Sequence, residues 1–492
     1  MDSKTFCIPQ FLTVWHGKGV FQQPRLVTTV NYRVSRTVPE IHNYLNQEGS
    51  PPRPYTELFT LRVNPMICLR IGVGTLLLWA MAFAASDKLL APVLPRPTGS
   101  FAVGRIGFDW TDRSRREVLS KDADAKRELM IYVWYPTEKG GKTGKPAPYL
   151  PGAAAINTLS DRSLSGADGK LWPAILSGQI ESHAVEGATP ASNPVRFPVL
   201  IFSHGLGSPV FHYTAFIEEL VSHGYMVASI EHTYEVNVVA FPDGRVVALS
   251  PISWGVYGPQ PPEISDEEAS KKAIAWEKER DNVWAADISF ALDQLTKLDR
   301  DKGSLFFGRL DLAHVGAVGH SIGGRAVGRA CQLDPRIEAC VNEDGAPDEG
   351  AVLNYPGADP PEQPFLLEEV FVAPPTNKEL ADAHESRQHF NQSMAQHDAA
   401  VEKQLRHCRD GGYRVTIKAH GISHDSFTDV PLMESAHDPK AKAAALHSLS
   451  LTVEVTLAFF DQYLRGEKDR LLNRVHESGS EITLRHYPTG IP

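Results

Sequence analysis

The chain has 492 residues, of which 42% are hydrophobic and 22% are charged, and its formal net charge is −10. This composition is typical of a globular protein, and the length has room for two or three domains or for one large α/β domain with extensions. The acidic balance argues against nucleic-acid binding, because neutralising phosphates needs clustered Lys and Arg side chains. Five cysteines without a CxxC pair argue against a disulfide scaffold and against a zinc or thioredoxin-like redox site.

An apolar segment towards the N-terminus, Ile71–Ser86, runs for sixteen residues without a charge, directly after Arg70. It is short for a membrane span, which needs ~20 residues, and it matches the apolar part of a secretory signal. Ala82-Phe83-Ala84 supplies a cleavage-site pattern near its end. We predict a signal peptide at residues 66–86, with an uncleaved N-terminal anchor or a buried core helix as alternatives. The protein is therefore expected to be secreted or periplasmic, or membrane-anchored if the segment is not cleaved.

A secretory signal starts close to the N-terminus, whereas this segment begins only at Ile71. Its position therefore raises the question of whether the protein starts at a later methionine. Met66 lies four residues before Arg70 and is a candidate start. Residues 1–65 are then a leader of doubtful reality that we expect to be disordered. Without residues 1–84 the chain has 41 basic and 55 acidic residues, a net charge of −14. We expect residues 87–492 to form a single catalytic domain.

Strand and helix signals alternate along this part of the chain. The runs that predict strands are Glu128–Tyr135, Phe197–Ser203, Tyr225–Ile230, His314–Val318, Glu338–Asn342, Pro364–Val370 and Tyr413–Ala419. The turn residues Pro242-Asp243-Gly244 predict a hairpin of Val236–Phe241 with Arg245–Leu249. Helices are predicted at Tyr213–His223, from a capping box at Ser265 and Glu268 to about Leu298, and at Leu446–Leu464. This alternation predicts a mainly parallel central sheet with helices on both faces.

The sequence Gly319-His320-Ser321-Ile322-Gly323 follows a predicted strand and begins a segment of small residues. Strand, turn and helix are the context in which a G-x-S-x-G pattern forms a nucleophile elbow. Ser321 has to sit on a tight turn so that its hydroxyl projects from the sheet. Side chains at Gly319 and Gly323 would collide with backbone across that turn. We therefore predict Ser321 as a nucleophile.

A serine hydroxyl needs a general base, and in this arrangement an acidic residue and then a histidine follow the serine along the chain. The strand after the elbow ends in Glu343-Asp344-Gly345. We predict Asp344 as the acid, with Glu343 and Asp348 as alternatives.

The histidine is expected in a loop after a late strand and before the last helix. The chain has 19 histidines, so the presence of one proves nothing. The loop that follows the strand Tyr413–Ala419 contains both His420 and His424. His420 lies where the strand ends, whereas His424 lies further out, where a side chain turns back over the sheet. We predict His424 as the base, with His420 as the alternative.

An oxyanion needs two preorganised backbone N–H groups. One is expected from Ile322, the residue after the nucleophile. The other is expected from the loop that follows the strand Phe197–Ser203, which reads Ser203-His204-Gly205-Leu206-Gly207. We predict Leu206 as that donor, against the alternative of a plain glycine-rich turn.

These residues resemble the platelet-activating factor acetylhydrolase family of plasma type, with its bacterial lipase and esterase relatives. The resemblance rests on residues 202–234 and 315–326, on Pro97-Thr98-Gly99, on Val133–Pro136, and on the sequence ISHDSF at 422–427. It covers residues 97–466 and implies the α/β-hydrolase fold with cap or lid insertions. The family's nucleophile, acid, histidine and oxyanion donors fall on the same residues of this chain: Ser321, Asp344, His424, Leu206 and Ile322. Two features depart from the family pattern: Ile322 replaces the Phe common in the animal enzymes, and the stretch between Asp344 and His424 is long, with a polar insertion around 346–410.

The resemblance implies a serine ester hydrolase that removes short acyl groups from phospholipid-like esters through an acyl-enzyme. No metal or organic cofactor is needed for this chemistry. A general carboxylesterase or polyester hydrolase of the same fold is the first alternative, and a non-catalytic binding protein on a hydrolase scaffold is a remote one. The expected partner is a small ester or phospholipid, with transient lipid-surface contact through Trp254, Val256 and Tyr257 or, alternatively, plain packing of that loop. The oligomeric state is not predicted.

Two of the cysteines, Cys331 and Cys340, lie nine residues apart, one near a predicted helix end and one in the following strand. In an oxidising compartment they could pair, which would leave Cys408 as the remaining cysteine of residues 87–492.

Overall fold

The computed structural model describes residues 94–140, 144–158, 171–255, 264–345, 361–382, 385–467, 472 and 481–490. The leader, the signal or anchor segment, Asp348, Val256 and Tyr257 lie outside the described residues, and the side chain of Trp254 is also not described. The predictions that concern them therefore stay predictions.

The described residues form one 11-stranded sheet and one two-stranded hairpin. In chain order the strands are β1 (Ala102–Arg116), β2 (Lys126–Thr137), β3 (Pro146–Pro148), β4 (Glu181–Glu186), β5 (Phe197–Ser203), β6 (Met226–Glu231), β7 (Val238–Ala240), β8 (Val246–Ala248), β9 (Leu310–His320), β10 (Ala339–Glu343), β11 (Phe365–Val370), β12 (Gly412–Ile417) and β13 (Ile482–Tyr487).

The large sheet has the order β13-β12-β11-β10-β9-β5-β6-β2-β1-β4-β3. Its six central strands, from β12 to β6, run parallel to one another. β13 and β2 pair antiparallel with the two sides of this block. Because the carboxyl ends of parallel strands meet at one edge, the residues that follow β5, β9, β10 and β12 are brought to the same place.

Helices cover both faces of the sheet. In chain order they are α1 (Ala153–Ile156), α2 (Trp172–Leu176), α3 (Thr214–Ser222), α4 (Pro251–Gly255), α5 (Asp266–Arg300), α6 (Ile322–Leu333), α7 (Asn377–Asp382), α8 (Arg387–Leu405), α9 (Val430–Glu434) and α10 (Pro439–Leu464), with 3₁₀ turns at Val210–Tyr213 and His424–Phe427. Among the described helices, α10 alone is long and apolar enough to cross a membrane, and half of its most apolar stretch is buried inside the protein.

The two faces of β5 show how the layers are held together. Leu200 and Phe202 point into the hydrophobic cluster that contains residues of α3 and α10. Val199 and Ile201 point into the opposite cluster, with residues of α5 and α6. A strand with both faces buried has to be apolar throughout, which explains the uninterrupted apolar run. The mainly parallel sheet with helices on both faces is confirmed.

Several element boundaries differ from the predictions. β1 and β13 were not predicted, and α10 begins at Pro439 instead of Leu446. The earlier start has a local cause, because the Asp438 carboxylate accepts hydrogen bonds from the N–H groups of Lys440 and Ala441 and Pro439 occupies the first turn. The Ser265 hydroxyl caps α5 through the N–H of Glu268, as the capping box predicts.

A buried cluster of charged side chains connects β2 to α5. The Arg127 guanidinium contacts carboxylates of Asp287 at 2.6 Å, Glu117 at 2.7 Å and Glu235 at 3.3 Å. Burial disfavours its charge, but these carboxylates raise the pKa of Arg127 above its usual value. The cluster therefore depends on the presence of the cation.

Replacing Arg127 with Met is expected to lower the free energy of unfolding by about 3–5 kcal/mol, because it leaves buried carboxylates without a countercharge. Arg336→Met is the matched control. Arg336 pairs with Asp334 and Asp293, but its side chain is 42% exposed, so the loss should stay below about 1 kcal/mol. Urea unfolding of both variants measures the difference, and equal losses would contradict the role given to Arg127.

Candidate active site

Ser321 lies between the end of β9 and the start of α6, on a strained turn. Its φ of 57° falls in the left-handed region that residues with a side chain rarely adopt. The backbone N–H of Ser321 donates to the carbonyl of Glu343 at 2.8 Å, which holds the turn against β10. A Cβ on Gly323 would overlap the carbonyls of Ser203 and His204, and one on Gly319 would overlap Gly323. The turn thus requires both glycines, for the reason inferred from the sequence.

Asp344 and His424 meet at the same edge of the sheet. The Nδ1 of His424 donates to Oδ2 of Asp344 at 2.6 Å, and both side chains are buried. The other oxygen of Asp344, Oδ1, accepts from the N–H of Val370 at 3.1 Å, and the Asp344 N–H donates to the Glu368 carbonyl at 2.7 Å. The carboxylate is therefore fixed by β11 while it orients the imidazole.

The serine turn and the histidine loop (residues 420–427) touch. The ring of His320, the residue before the serine, lies 4.4 Å from the ring of His424, measured between centroids. Three predicted residues, Ser321, Asp344 and His424, are thus brought to one edge by β9, β10 and the loop after β12.

The alternative residues are placed differently. His420 is exposed and is the first residue of the histidine loop, close to the end of β12. Glu343 is opposite Glu368 in the β10–β11 register, and the Thr456 hydroxyl lies 3.5 Å from Oε1 of Glu343 and 3.4 Å from Oε2 of Glu368. Burial raises the pKa of Glu343 to about 8. Its side chain faces α10, so it is not the carboxylate that contacts His424.

The oxyanion loop, residues 203–208, follows β5. The N–H groups of Gly205, Gly207 and Ser208 donate to the Tyr213 hydroxyl and to the carbonyls of Glu235 and Gly205. The N–H of Leu206 is left without an acceptor among the described residues of this turn. Ile322 is the first residue of α6, where an N–H has no acceptor within the helix. Both predicted donors are therefore available to a ligand.

His204 fixes the direction of the Leu206 N–H. His204 Nε2 accepts from the backbone N–H of His232 at 3.1 Å, so Nδ1 carries the hydrogen and donates to the Gly205 carbonyl at 2.6 Å. In a trans peptide the C=O and N–H of one unit point in opposite directions. Holding the Gly205 carbonyl therefore aims the Leu206 N–H the other way.

A second serine, histidine and aspartate lie behind this loop, and no motif in the sequence marks them. Ser203 Oγ is 2.9 Å from His232 Nε2, and His232 Nδ1 is 2.8 Å from Asp287 Oδ2. All three side chains are fully buried, so no substrate reaches them. Burial lowers the pKa of His232 to about 4, and the neutral ring stacks on Trp284 at 3.8 Å. The hydrogen bond between Ser203 and His232 therefore anchors the first residue of the oxyanion loop.

A disulfide joins Cys331 at the end of α6 to Cys340 in β10, and Cys408 is a buried free thiol. The predicted pairing is therefore present in the structure. Within the part of the chain that the structure describes, no group of three His, Cys, Asp or Glu side chains is arranged to hold a metal ion.

Comparisons with known proteins agree with this architecture. The model of the family described as platelet-activating factor acetylhydrolase, isoform II, matches residues 89–244. A probable 1-alkyl-2-acetylglycerophosphocholine esterase of Arthroderma benhamiae is 25% identical over 304 residues, which cover 60% of this chain and 69% of that protein. The platelet-activating factor acetylhydrolase of Cavia porcellus is 30% identical over 269 residues, covering 50% of this chain and 54% of that enzyme. The chain thus spans little more than half the length of this mammalian relative.

A solved structure supports the fold over a longer stretch. The ferulic acid esterase from Streptomyces cinnamoneus superposes with a TM-score of 0.55 at 25% identity, covering 80% of this chain and 99% of that one. Together these similarities confirm the predicted resemblance to the platelet-activating factor acetylhydrolase family and the α/β-hydrolase fold, and they identify the chain as a carboxylic ester hydrolase.

Proposed function

We propose that the protein hydrolyses esters by nucleophilic catalysis through an acyl-enzyme on Ser321. The observation that carries the proposal is the 2.6 Å hydrogen bond from His424 to Asp344 beside a serine held at φ 57°. An imidazole fixed in this way presents its other nitrogen, Nε2, as a base, which a serine hydroxyl needs in order to attack.

The steps follow from these roles. Ser321 Oγ attacks the ester carbonyl while His424 Nε2 takes its proton, and Asp344 stabilises the imidazolium. The N–H groups of Leu206 and Ile322 bind the oxyanion of the tetrahedral intermediate. The imidazolium then gives its proton to the leaving alcohol, and water attacks the acyl-enzyme by the same sequence.

The proposed substrates are phospholipid-like esters with short acyl groups. This proposal is supported by the names of two relatives, the 1-alkyl-2-acetylglycerophosphocholine esterase and the platelet-activating factor acetylhydrolase. A general carboxylesterase is the second candidate, and the ferulic acid esterase neighbour favours it.

Hydrolysis rates separate these two candidates. We expect kcat/KM on acyl-glycerophosphocholines of graded sn-2 chain length to be highest for the acetyl group and to exceed that on p-nitrophenyl esters of equal chain length. A general carboxylesterase gives the opposite order. A non-catalytic binding protein hydrolyses none of them and is not labelled by a fluorophosphonate.

We further propose that residues 87–492 act as one domain in an oxidising compartment, after cleavage of the signal at 66–86. The Cys331–Cys340 disulfide supports this location, because such bonds persist in secreted and periplasmic proteins. N-terminal sequencing of the exported protein locates the cleavage site, and an intact N-terminus in a membrane fraction would favour the anchor instead.

The pH dependence tests the base. Burial disfavours the His424 imidazolium, but the hydrogen bond and charge of Asp344 outweigh burial and raise the pKa of His424 above its ordinary value. Because catalysis needs the neutral ring, kcat/KM on a neutral ester is expected to fall as the pH drops through a pKa above about 6.5. Asp344→Asn removes the charge that raises this pKa, so the residual activity should fall off only at lower pH. If kcat/KM of Asp344→Asn falls at the same pH as that of the wild type, the pairing of His424 with Asp344 would be contradicted.

A further inference from the structure

We propose that Tyr213 and His320 are positioning residues that join the oxyanion loop to the histidine loop in one hydrogen-bonded chain. The inference rests on the proposed serine ester hydrolysis and adds two residues to it. Neither residue was assigned a role from the sequence, although His320 is part of the G-x-S-x-G pattern.

This hydrogen-bonded chain consists of three hydrogen bonds. The backbone N–H of Gly205 donates to the Tyr213 hydroxyl at 2.9 Å. The same hydroxyl is 2.9 Å from Nδ1 of His320, and Nε2 of His320 is 3.0 Å from the backbone carbonyl of His424. One tyrosine and one imidazole thus connect the peptide that precedes the oxyanion donor with the backbone of the catalytic base.

The direction of every link is fixed by chemistry. The His424 carbonyl only accepts, so Nε2 of His320 carries a hydrogen and donates it. In a neutral imidazole Nδ1 is then an acceptor, and the Tyr213 hydroxyl has to donate to it. The same hydroxyl oxygen accepts from Gly205. Burial and the nearby His424 ring hold the pKa of His320 well below its ordinary value, which keeps the ring neutral and this polarity intact.

The packing around Gly205 leaves little freedom for the chain to rearrange. A Cβ on Gly205 would lie 3.2 Å from His320 Nδ1, 3.2 Å from the Tyr213 hydroxyl and 3.3 Å from Ser321 Cβ. Tyr213 and His320 are both buried, and the Phe427 ring stacks on His320 at 5.4 Å. The oxyanion loop, the serine turn and the histidine loop therefore converge on the same two side chains.

Positioning matters here because Leu206 N–H, Ser321 Oγ and His424 Nε2 have to act on one carbonyl group at once. A displacement of a fraction of an ångström in either loop weakens stabilisation of the transition state while leaving substrate contacts elsewhere unchanged. Loss of this hydrogen-bonded connection is therefore expected to lower kcat and to leave KM almost unchanged.

Tyr213→Phe tests this, because it removes the shared hydroxyl and keeps the ring. On p-nitrophenyl acetate we expect kcat to fall about ten- to a hundredfold and KM to change less than about threefold. The rate of Ser321 labelling by a fluorophosphonate should fall with kcat, since that reaction uses the same base and oxyanion hole. Tyr135→Phe is the matched control. Tyr135 lies on β2, which flanks the parallel block, and its hydroxyl donates to the Ala188 carbonyl at 2.7 Å. Removing this hydroxyl should affect stability without changing kcat.

His320→Gln is the second variant, because its amide nitrogen can still donate to the His424 carbonyl but offers nothing to Tyr213 at the Nδ1 position. Since both changes break one chain, the double variant should be no slower than the slower single variant. Independent, multiplicative losses would overturn the proposal, as would a folded Tyr213→Phe with wild-type kcat. If Tyr213→Phe does not fold, His320→Gln alone decides by the same kcat criterion. A wild-type protein that is not labelled at Ser321 would instead overturn the proposed function itself.

Discussion

Replacing Ser321 with alanine is expected to lower kcat by about 10⁴- to 10⁶-fold and to abolish labelling by a fluorophosphonate. The expected loss is this large because Ser321 is the proposed nucleophile, and the geometry of its turn depends on a left-handed backbone and two close glycine contacts. Hydrolysis of p-nitrophenyl acetate and active-site titration measure the effect.

Ser222→Ala is the control for this prediction. Ser222 is also buried, but its hydroxyl is engaged at the C-terminal end of α3, where it donates to the Glu219 carbonyl and accepts from the Gly99 N–H. The control should be labelled at the wild-type rate. If Ser321→Ala retained turnover while remaining folded, the acyl-enzyme mechanism would have to be abandoned.

Replacing His424 with alanine should be nearly as damaging, with a loss of kcat of about 10⁴-fold or more, because the serine then has no base. His420→Ala, four residues earlier in the same loop, is the matched control. His420 is exposed, so its removal should change kcat less than about twofold. The pair is informative because the sequence alone left both histidines as candidates. An inactive His420 variant beside an active His424 variant would move the base to His420.

The elements that position the candidate site could be predicted because each rests on a local signal. β5 is apolar throughout since it is buried on both faces, and the elbow has glycines where a side chain has no room. The order of serine, acid and histidine then follows from the parallel strands, whose carboxyl ends meet at one edge. These signals led to Ser321, Asp344 and His424, which the structure brings to that edge.

Other features have no local signal. β1 is rich in Gly, Asp and Arg, which weaken a strand pattern, and it forms because β2 pairs with it along most of its length. The contact between Tyr213 and His320 spans 107 residues of sequence and exists only once the 3₁₀ turn Val210–Tyr213 is packed against the end of β9. The support of His204 by His232 likewise depends on the β5–β6 register. Such contacts are products of the tertiary structure and cannot be read from spacing.

The disulfide has a consequence for how the site can open. It closes the far end of a loop that runs from Ser321 along α6 to Cys331, across to Cys340, and along β10 to Asp344. The near end is closed by the hydrogen bond from the Ser321 N–H to the Glu343 carbonyl. Nucleophile and acid therefore belong to one closed ring and move as a single body. Among the described residues of the candidate site, the histidine loop and the oxyanion loop lie outside that ring, so they can shift relative to the nucleophile and the acid when a bulky ester binds.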